Sequence, residues 1–246
     1  MLIKLRLGLF VLLLAGLSAC ASPAPTAAIG EGLDEPFLIQ PERMAEKAAI
    51  VKSGARIDVV FIGDSITQNY DKPEYKPVWD RYFAPLRAFN LGYGMDTTGA
   101  ASWRFEHGEL DGLSPRVTVL LLGTNDTNVG RSPSQAVTDI ARAVTDLKAQ
   151  LPQTRILLVG ILPSARSPDK TLADHQINAT NAALYAGDPR VTFLSVDYVF
   201  IKNGTPDPAL YVEQLPEGAL HPNPQGQALM AAAIEPVVKR LLVEMP

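Results

Sequence analysis

Cysteine, histidine and runs of basic residues are scarce in this 246-residue chain. The only cysteine is Cys20, so no disulfide can form within one chain. The three histidines are far apart, and no group of histidines and carboxylates has the spacing of metal ligands, so no metal site is predicted. Acidic residues outnumber basic ones by 26 to 22. A mildly acidic chain without a basic run is a poor candidate for binding nucleic acid.

Motifs for nucleotide and phosphate binding are also missing. Gly92-x-Gly94 lacks the third glycine of a dinucleotide fingerprint. It also does not follow the first strand of a βαβ unit with the acidic residue that such a fingerprint requires. The first predicted strand ends in Gly63-Asp64-Ser65 rather than in an acidic cluster or a phosphate cradle, which disfavours a receiver-like or phosphate-binding protein. We therefore expect no cofactor.

The N-terminal residues 1–19 have the pattern of a signal peptide. Two basic residues precede the apolar run Leu7–Leu17, which is too short for a comfortable transmembrane helix. Leu17-Ser18-Ala19-Cys20 resembles a bacterial lipobox, in which the cysteine is lipidated and begins the mature protein; the alternative is a cysteine that happens to end the signal sequence. Acyl chains on Cys20 would anchor the protein in the cell envelope. Ala21 favours the outer membrane, facing the periplasm, if the host is a double-membraned bacterium.

Two further regions follow the predicted signal peptide. Residues 20–35 begin with the lipidated cysteine and continue as a flexible tether, because they are rich in Ala, Pro and Gly and show no hydrophobic period. Residues 36–246 have the usual size of one folded domain and contain no internal repeat or linker.

Predicted strands and helices alternate along this domain. The strands are near-continuous apolar runs, as expected for a parallel sheet that helices cover on both faces, and the fold class is therefore α/β with about five strands. Pro236 predicts a kink in the last helix or its division into two shorter helices. The strands are predicted at about 57–62, 87–91, 117–122, 155–160 and 191–196, and the helices at about 41–53, 75–84, 98–107, 133–150, 172–186 and 224–243.

The first strand leads to a candidate nucleophile. The apolar run Val59–Ile62 stops at Gly63-Asp64-Ser65, which would place Ser65 at the carboxyl end of a parallel strand and near a helix N-terminus. Ligands of open α/β sheets bind at that edge, where backbone N–H groups can face a developing anion. The alternative is an ordinary turn between a strand and a helix.

Three later segments place polar groups near the same edge. Asn90–Thr98 follows the second strand and could donate backbone N–H groups to an oxyanion. Asn125 follows the third strand and carries a neutral amide donor, although in isolation a turn residue that bonds its own backbone is the more common explanation. His221 precedes the last helix and is suited to acid–base chemistry near neutral pH, although a single loop histidine is more often structural.

Together these segments resemble the four blocks of the SGNH (GDSL-type) hydrolases. The blocks are Gly63-Asp64-Ser65, the glycine loop before Asp96, Gly123-Thr124-Asn125-Asp126 and Leu220-His221-Pro222, and they cover nearly the whole domain. Asn90–Thr98, with the Trp103-Arg104-Phe105 and His107-Gly108-Glu109-Leu110 segments after it, is most similar to the branch that contains the catalytic subunits of intracellular platelet-activating factor acetylhydrolase.

The resemblance implies a flavodoxin-like three-layer α/β/α sandwich and a serine esterase mechanism without metal. Ser65 would be the nucleophile and His221 the general base. The oxyanion would be held by the N–H of Ser65, an N–H of the glycine loop at Gly94 or Met95, and the side-chain amide of Asn125. Relatives dimerise, so a homodimer is a further expectation that helix surfaces alone do not decide.

Two positions depart from the family pattern. Met95 stands where a glycine normally precedes the aspartate, and its side chain is expected to crowd the acyl pocket and favour small acyl groups. The acid of the family usually lies three residues before the histidine, where this chain has Gly218. Glu217, one position earlier, is the predicted acid; the alternative is a dyad in which a backbone carbonyl orients His221.

The sequence therefore predicts an envelope-anchored serine esterase that removes acetyl or other short acyl groups, with carbohydrate as the expected acyl carrier. Lysophospholipids, thioesters and small acyl esters are the alternative substrates. A lipoprotein that binds glycans without turnover is the alternative from another functional class. Asp64 and Asp126 are expected to fix loop geometry rather than to act as acids, and His107 and His175 are expected to be structural.

Overall fold

A five-stranded parallel sheet forms the centre of the protein, whose computed structural model describes residues 40–213 and 218–244. The strand order is β2-β1-β3-β4-β5, and every neighbouring pair is parallel. This is the flavodoxin-like order, so the predicted fold class is confirmed. The strands are β1 (Val59–Gly63), β2 (Ala88–Gly92), β3 (Val117–Leu121), β4 (Arg155–Val159) and β5 (Val191–Leu194).

Helices connect the strands, and the six predicted ones lie within four residues of their expected positions. The short helix α2 (Ser65–Gln68) starts at Ser65, where the sequence predicts a helix N-terminus. The short helix α5 (Thr124–Asn128) and a two-stranded antiparallel hairpin of β6 (Ile201–Lys202) and β7 (Thr205–Pro206) have no counterpart in the prediction. The helices are α1 (Pro41–Lys52), α2 (Ser65–Gln68), α3 (Lys76–Tyr82), α4 (Thr98–Glu106), α5 (Thr124–Asn128), α6 (Pro133–Gln150), α7 (Pro168–Leu184) and α8 (Pro224–Val243).

The sheet has an apolar core on each face, because successive side chains of a strand point to opposite sides. Val59 and Phe61 of β1 pack with residues of α3 and α8, whereas Val60 and Ile62 pack with residues of α4, α6 and α7. Both faces are therefore covered, which explains why the strands read as continuous apolar runs rather than as alternating ones.

Helix α6 shows how local sequence produces this packing. Ser132 accepts a hydrogen bond from the Gln135 N–H while the Gln135 side chain accepts one from the Ser132 N–H, which forms a capping box at the helix N-terminus. The helix buries an apolar stripe against the sheet, which consists of Ala136, Ile140, Ala143, Val144 and Leu147.

The last helix runs without interruption from 224 to 243, so of the two alternatives predicted at Pro236, a kink or a division into two helices, the division does not occur. Proline removes one backbone donor from the helix. Residues on both sides of Pro236, namely Ile234 and Val238, are buried in the same core, and this packing keeps the two halves in one helix.

The predicted signal peptide, the lipidation site at Cys20 and the tether 20–35 lie outside the described residues. Among residues 40–213 and 218–244, none of the helices is both long enough and apolar enough to cross a bilayer.

Candidate active site

The strand register brings three candidate segments to one edge of the sheet. Gly63 at the end of β1 is paired with Gly92 at the end of β2 and with Leu121 at the end of β3. The segments that follow these strands carry Ser65, the glycine loop and Asn125. Parallel register thus accounts for the convergence of residues that are far apart in the sequence.

The Asp64-Ser65 turn starts helix α2. Asp64 caps the helix by accepting the Ile66 N–H at 2.8 Å, and Ser65 occupies its first position. Helix α2 lies close against the strand ends: a Cβ atom on Gly63 would stand 2.8 Å from the Thr67 Cβ, and one on Gly92 would stand 2.4 Å from the Gln68 backbone nitrogen. Glycine at these two positions therefore allows the turn to fold onto the sheet edge.

Ser65 contacts His221 directly. The Ser65 Oγ lies 3.0 Å from the His221 Nε2, across 156 residues of sequence. Both side chains are partly buried, so the pair is sheltered but can be reached from solvent. This is the distance required for a base that takes the proton of an attacking hydroxyl.

A carboxylate that the sequence analysis did not consider completes the hydrogen-bonded chain. Glu213 Oε1 bonds the His221 Nδ1, and Glu213 Oε2 accepts the backbone N–H groups of His221 at 2.9 Å and Leu220 at 3.2 Å. Burial raises the pKa of Glu213, but the bonds from His221 lower it more, so the net pKa is below the usual value. The predicted acid, Glu217, lies outside the described residues.

The position three residues before the histidine cannot easily hold an acid. Gly218 has φ +82°, which disfavours residues with a side chain, and a Cβ atom there would stand 2.8 Å from both the Ala165 carbonyl oxygen and the Arg166 Cα. The close backbone contact explains why a glycine replaces the acid of the family at this position.

Glu213 instead reaches His221 because their segments run antiparallel beside each other. The Val212 N–H donates to the His221 carbonyl at 2.9 Å, and Tyr211 forms an isolated β-bridge with Pro222. The buried Tyr211 hydroxyl donates to the Pro163 carbonyl at 2.6 Å, which ties this segment to the loop after β4. A fixed spacing in the sequence is therefore not needed to bring the acid to the histidine.

The predicted oxyanion donors differ in whether their N–H groups are already used in hydrogen bonds within the protein. Ser65 is at the first position of α2, where a backbone N–H has no partner within the helix. Asn125 is buried, and its Nδ2 donates to the Asp96 carbonyl at 2.9 Å, which leaves a second amide hydrogen for a ligand. The Gly94 N–H donates to the Gln68 side chain and is not offered to a ligand in this structure.

Met95 adopts a backbone conformation that glycine usually supplies. Its φ is +68°, in the left-handed region, and its side chain is 46% exposed. The conformation explains the glycine that the family has here, and it costs roughly 1 kcal/mol for a residue with a side chain. The methionine side chain is therefore held at the surface of the loop that carries the candidate oxyanion donors.

The model of the GDSL-like lipase/acylhydrolase family matches residues 61–229, more than half of the chain. This chain belongs to that family. The matched segment contains all four blocks on which the resemblance was based. Family membership therefore rests on the same residues that the strand register brings to the edge of the sheet.

Curated relatives of this family member include platelet-activating factor acetylhydrolase IB subunit alpha1. The protein from Homo sapiens is 37% identical over 145 residues, which are 58% of this chain and 61% of the human protein, so the match spans less than two thirds of the relative. The subunit from Pongo abelii is 32% identical over 188 residues, which are 76% of this chain and 78% of that protein. The resemblance to this branch of the GDSL-type hydrolases is confirmed.

Solved structures show the same fold. A GDSL-like lipase from Bacteroides thetaiotaomicron has a TM-score of 0.62 and 24% identity and covers 81% of this chain and 97% of its own. A carbohydrate acetylesterase from Sinorhizobium meliloti has a TM-score of 0.58 and 17% identity and covers 76% of this chain and 100% of its own. At these identities the likeness establishes the architecture of the family member.

Two buried aspartates stabilise the loops of this GDSL-type site. Asp126 accepts the Thr98 N–H at 3.0 Å and the Thr98 hydroxyl at 3.1 Å, and so links α5 to the start of α4. Asp64 caps α2, and burial raises its pKa to about 7. These contacts agree with the expectation that both aspartates fix loop geometry.

The remaining histidines have other surroundings. His107 stacks on Trp103 with the ring centroids 3.7 Å apart, and its Nδ1 bonds the Trp103 carbonyl at 2.7 Å. His175 lies on α7. Within residues 40–213 and 218–244, no group of three or more His, Cys, Asp or Glu side chains is placed to hold a metal ion.

Proposed function

We propose that this protein is a serine esterase that hydrolyses acetyl or other short acyl esters through an acyl-enzyme. The observation that carries the proposal is the hydrogen-bonded chain from Ser65 through His221 to Glu213. Its geometry fits a nucleophile, a general base and an acid that orients the base.

In the first half of the reaction, Ser65 Oγ attacks the ester carbonyl carbon as His221 Nε2 takes the hydroxyl proton. Glu213 fixes the imidazole through Nδ1 and stabilises the imidazolium that forms. The negative charge moves to the former carbonyl oxygen, where the N–H groups of Ser65 and Met95 and the amide of Asn125 can donate. Loss of one such donor typically costs about a hundred- to a thousandfold in rate.

The first tetrahedral intermediate collapses as His221 gives its proton to the leaving alcohol, which breaks the ester C–O bond and leaves the acyl group on Ser65. In the second half, a water molecule loses a proton to His221 and attacks the acyl carbon. The second tetrahedral intermediate then collapses as His221 returns this proton to Ser65 Oγ, which breaks the bond between Ser65 and the acyl group and releases the carboxylic acid. The same donors serve both intermediates, so the chain needs one base and one set of oxyanion donors.

The preference for short acyl groups rests on Met95 beside the oxyanion donors. The name of the platelet-activating factor relatives indicates removal of an acetyl group by those proteins. Carbohydrate as the acyl carrier is supported by fold neighbours that act on carbohydrate esters, including the Sinorhizobium meliloti enzyme. Phospholipid acetyl esters are the second candidate, favoured by the sequence identity to the acetylhydrolase subunits.

The test is hydrolysis of p-nitrophenyl esters of increasing chain length by the purified protein, with Ser65→Ala as the control. We expect activity on acetate that falls with chain length and is lost in the variant. Acetylated xylan and an acetylated ether phospholipid then distinguish the two acyl carriers.

A second measurement separates an esterase from a glycan-binding protein. A serine-directed phosphonate should label Ser65 in the wild type and leave the Ser65→Ala variant unlabelled. A folded protein that neither hydrolyses any ester nor reacts with the phosphonate would refute the proposed activity and favour binding without turnover.

Attachment to the envelope is proposed from the lipobox-like Leu17-Ser18-Ala19-Cys20. Cys20→Ala should release the protein from the membrane fraction, whereas continued sedimentation with membranes would contradict lipid anchoring.

A homodimer is proposed from the behaviour of relatives, and sedimentation velocity of the purified protein tests it.

A further inference from the structure

A buried ion pair lies next to the candidate oxyanion donors. The Arg104 Nε is 2.8 Å from Asp96 Oδ2, and the Arg104 Nη2 is 3.0 Å from Asp96 Oδ1. The two side chains are 1% and 2% exposed, so solvent screens this pair very little. A bidentate pair in this setting fixes the orientation of the carboxylate as well as its position.

The ion pair is connected to Asn125 by a single hydrogen bond. The backbone carbonyl of Asp96 accepts the Asn125 Nδ2 at 2.9 Å. This bond occupies one of the two amide hydrogens and thereby determines the direction of the other. Any shift of the Asp96 backbone should therefore turn the amide away from the position of the oxyanion.

Arg104 also holds the other end of the same turn. Its guanidinium carbon lies 3.9 Å from the centroid of the buried Tyr93 ring, and the Asp96 N–H donates to the Tyr93 carbonyl at 3.2 Å. The turn from Tyr93 to Asp96 includes Met95, whose left-handed conformation needs support from its surroundings. The Arg104 side chain therefore contacts both ends of the turn. This turn carries the candidate backbone donor at Met95, and its Asp96 carbonyl aligns the Asn125 amide.

We propose that Arg104 is a positioning residue that fixes the oxyanion-facing amide of Asn125 through the carboxylate and backbone of Asp96. The proposal rests on the esterase function proposed above. Through Asn125, Arg104 stabilises the tetrahedral intermediates and not the bound substrate, because an oxyanion donor is needed most where negative charge develops.

Lysine cannot replace arginine in this role. An ammonium group is a point charge that does not match both carboxylate oxygens in one plane, and it has no flat face to stack on Tyr93. Arg104→Lys keeps the charge that Asp96 needs in the protein interior, whereas an uncharged residue would leave a buried carboxylate without its partner. The lysine variant therefore tests positioning with the smallest risk to folding.

The first measurement is steady-state hydrolysis of p-nitrophenyl acetate, with the active fraction counted by phosphonate labelling. We expect Arg104→Lys to lower kcat about 10- to 100-fold, less than the loss of the whole donor, while KM stays within about threefold. Arg190→Lys is the matched control, because Arg190 bonds the Leu151 and Thr154 carbonyls at the opposite edge of the sheet. It should keep the wild-type kcat.

The second measurement is a double-mutant cycle with Asn125→Ala. If Arg104 acts through Asn125, Arg104→Lys should lower kcat by less than about twofold in the background that lacks the amide. An equal loss in both backgrounds would overturn the proposal, because a general structural defect does not depend on Asn125. Wild-type kcat in folded Arg104→Lys would also overturn it.

A readout that does not need turnover separates this proposal from the esterase function. The Asn125 side-chain amide signal in a ¹⁵N NMR spectrum, assigned by its loss in Asn125→Ala, should shift or broaden in Arg104→Lys and in Asp96→Asn. An unchanged signal would refute positioning even if the protein is an active esterase. A shifted signal in a protein that hydrolyses no ester would support positioning and refute the proposed function.

Discussion

Replacement of Glu213 by glutamine should remove most of the esterase activity while leaving the fold intact. The side chain bonds His221 Nδ1 with one oxygen and accepts two backbone N–H groups with the other. Glutamine has one acceptor oxygen instead of two, so its NH₂ group must face either the imidazole or a backbone donor. The variant can keep the backbone bonds only by presenting a donor to Nδ1, which favours the wrong tautomer of the base.

The expected size follows from the charge that is lost. A carboxylate that orients a catalytic histidine and stabilises its imidazolium form contributes about a hundred- to ten-thousandfold in kcat, which corresponds to about 3 to 5 kcal/mol of activation free energy. The stability cost should be about 1 to 3 kcal/mol, because at most one backbone donor loses its acceptor. Since the pKa of Glu213 is below its usual value, the carboxylate is charged across neutral pH and the loss should persist from pH 6 to pH 9.

The assay is p-nitrophenyl acetate hydrolysis by Glu213→Gln and Glu217→Gln, with folding checked by circular dichroism. Glu217→Gln is the matched control, because the sequence places that residue four positions before the histidine. We expect it to retain at least half of the wild-type kcat. Near-normal activity in Glu213→Gln together with a large loss in Glu217→Gln would refute the assignment of Glu213 as the acid.

Three further substitutions test the loops and the core. Asp64→Asn keeps the helix cap but removes a carboxyl whose pKa burial raises to about 7, well above its ordinary value. The free energy of unfolding of the wild type should therefore fall by up to about 4 kcal/mol as the pH rises from 4 to 8, and that of the variant should not. A stability difference in urea that is independent of pH would contradict this. Met95→Gly relieves the left-handed strain but raises the entropy of the unfolded chain, so the free energy of unfolding should change by less than about 1 kcal/mol. Hydrolysis of the hexanoate ester should rise severalfold relative to the acetate ester. An unchanged chain-length profile would show that Met95 does not line the acyl pocket. Leu147→Ala should cost about 2 to 5 kcal/mol in urea unfolding with kcat unchanged, because its side chain is fully buried near the C-terminal end of α6, which leads to the start of β4. A smaller cost would show that the core closes around the gap.

Most of the fold could be predicted from the sequence because buried parallel strands have a distinctive pattern. Runs such as Val117–Leu121 are apolar throughout, and α6 shows a regular stripe after a capping box. Short helices such as α5 have too few residues to show a period. Pro236 does not divide the last helix, because tertiary packing on both sides of it outweighs the local preference for a helix break.

The site was predictable where its residues follow strands. Ser65 and Asn125 stand directly after β1 and β3, so topology alone brings them together. Glu213 belongs to an irregular segment whose approach to His221 depends on one β-bridge and a few loop hydrogen bonds. Pairing between irregular segments leaves no period in the sequence, so the sequence points to Glu217 only by its distance from His221 along the chain.

The buried Arg104–Asp96 pair could have been suspected only in part. The segment Trp103-Arg104-Phe105 was noticed for its likeness to the acetylhydrolase branch, but nothing in the sequence shows that Arg104 reaches back eight residues to Asp96 across the start of α4. That contact depends on the turn at Met95, whose left-handed backbone is visible only in three dimensions.

The backbone packed around Gly218 has a consequence for how such proteins are sorted in genome surveys. A search that requires an aspartate three residues before the histidine would classify this chain as a catalytically dead homologue. Here a carboxylate eight residues before the histidine, in a neighbouring segment, contacts the imidazole. A test based on which carboxylate contacts the imidazole, rather than on its spacing in the sequence, would keep this chain among the candidate enzymes.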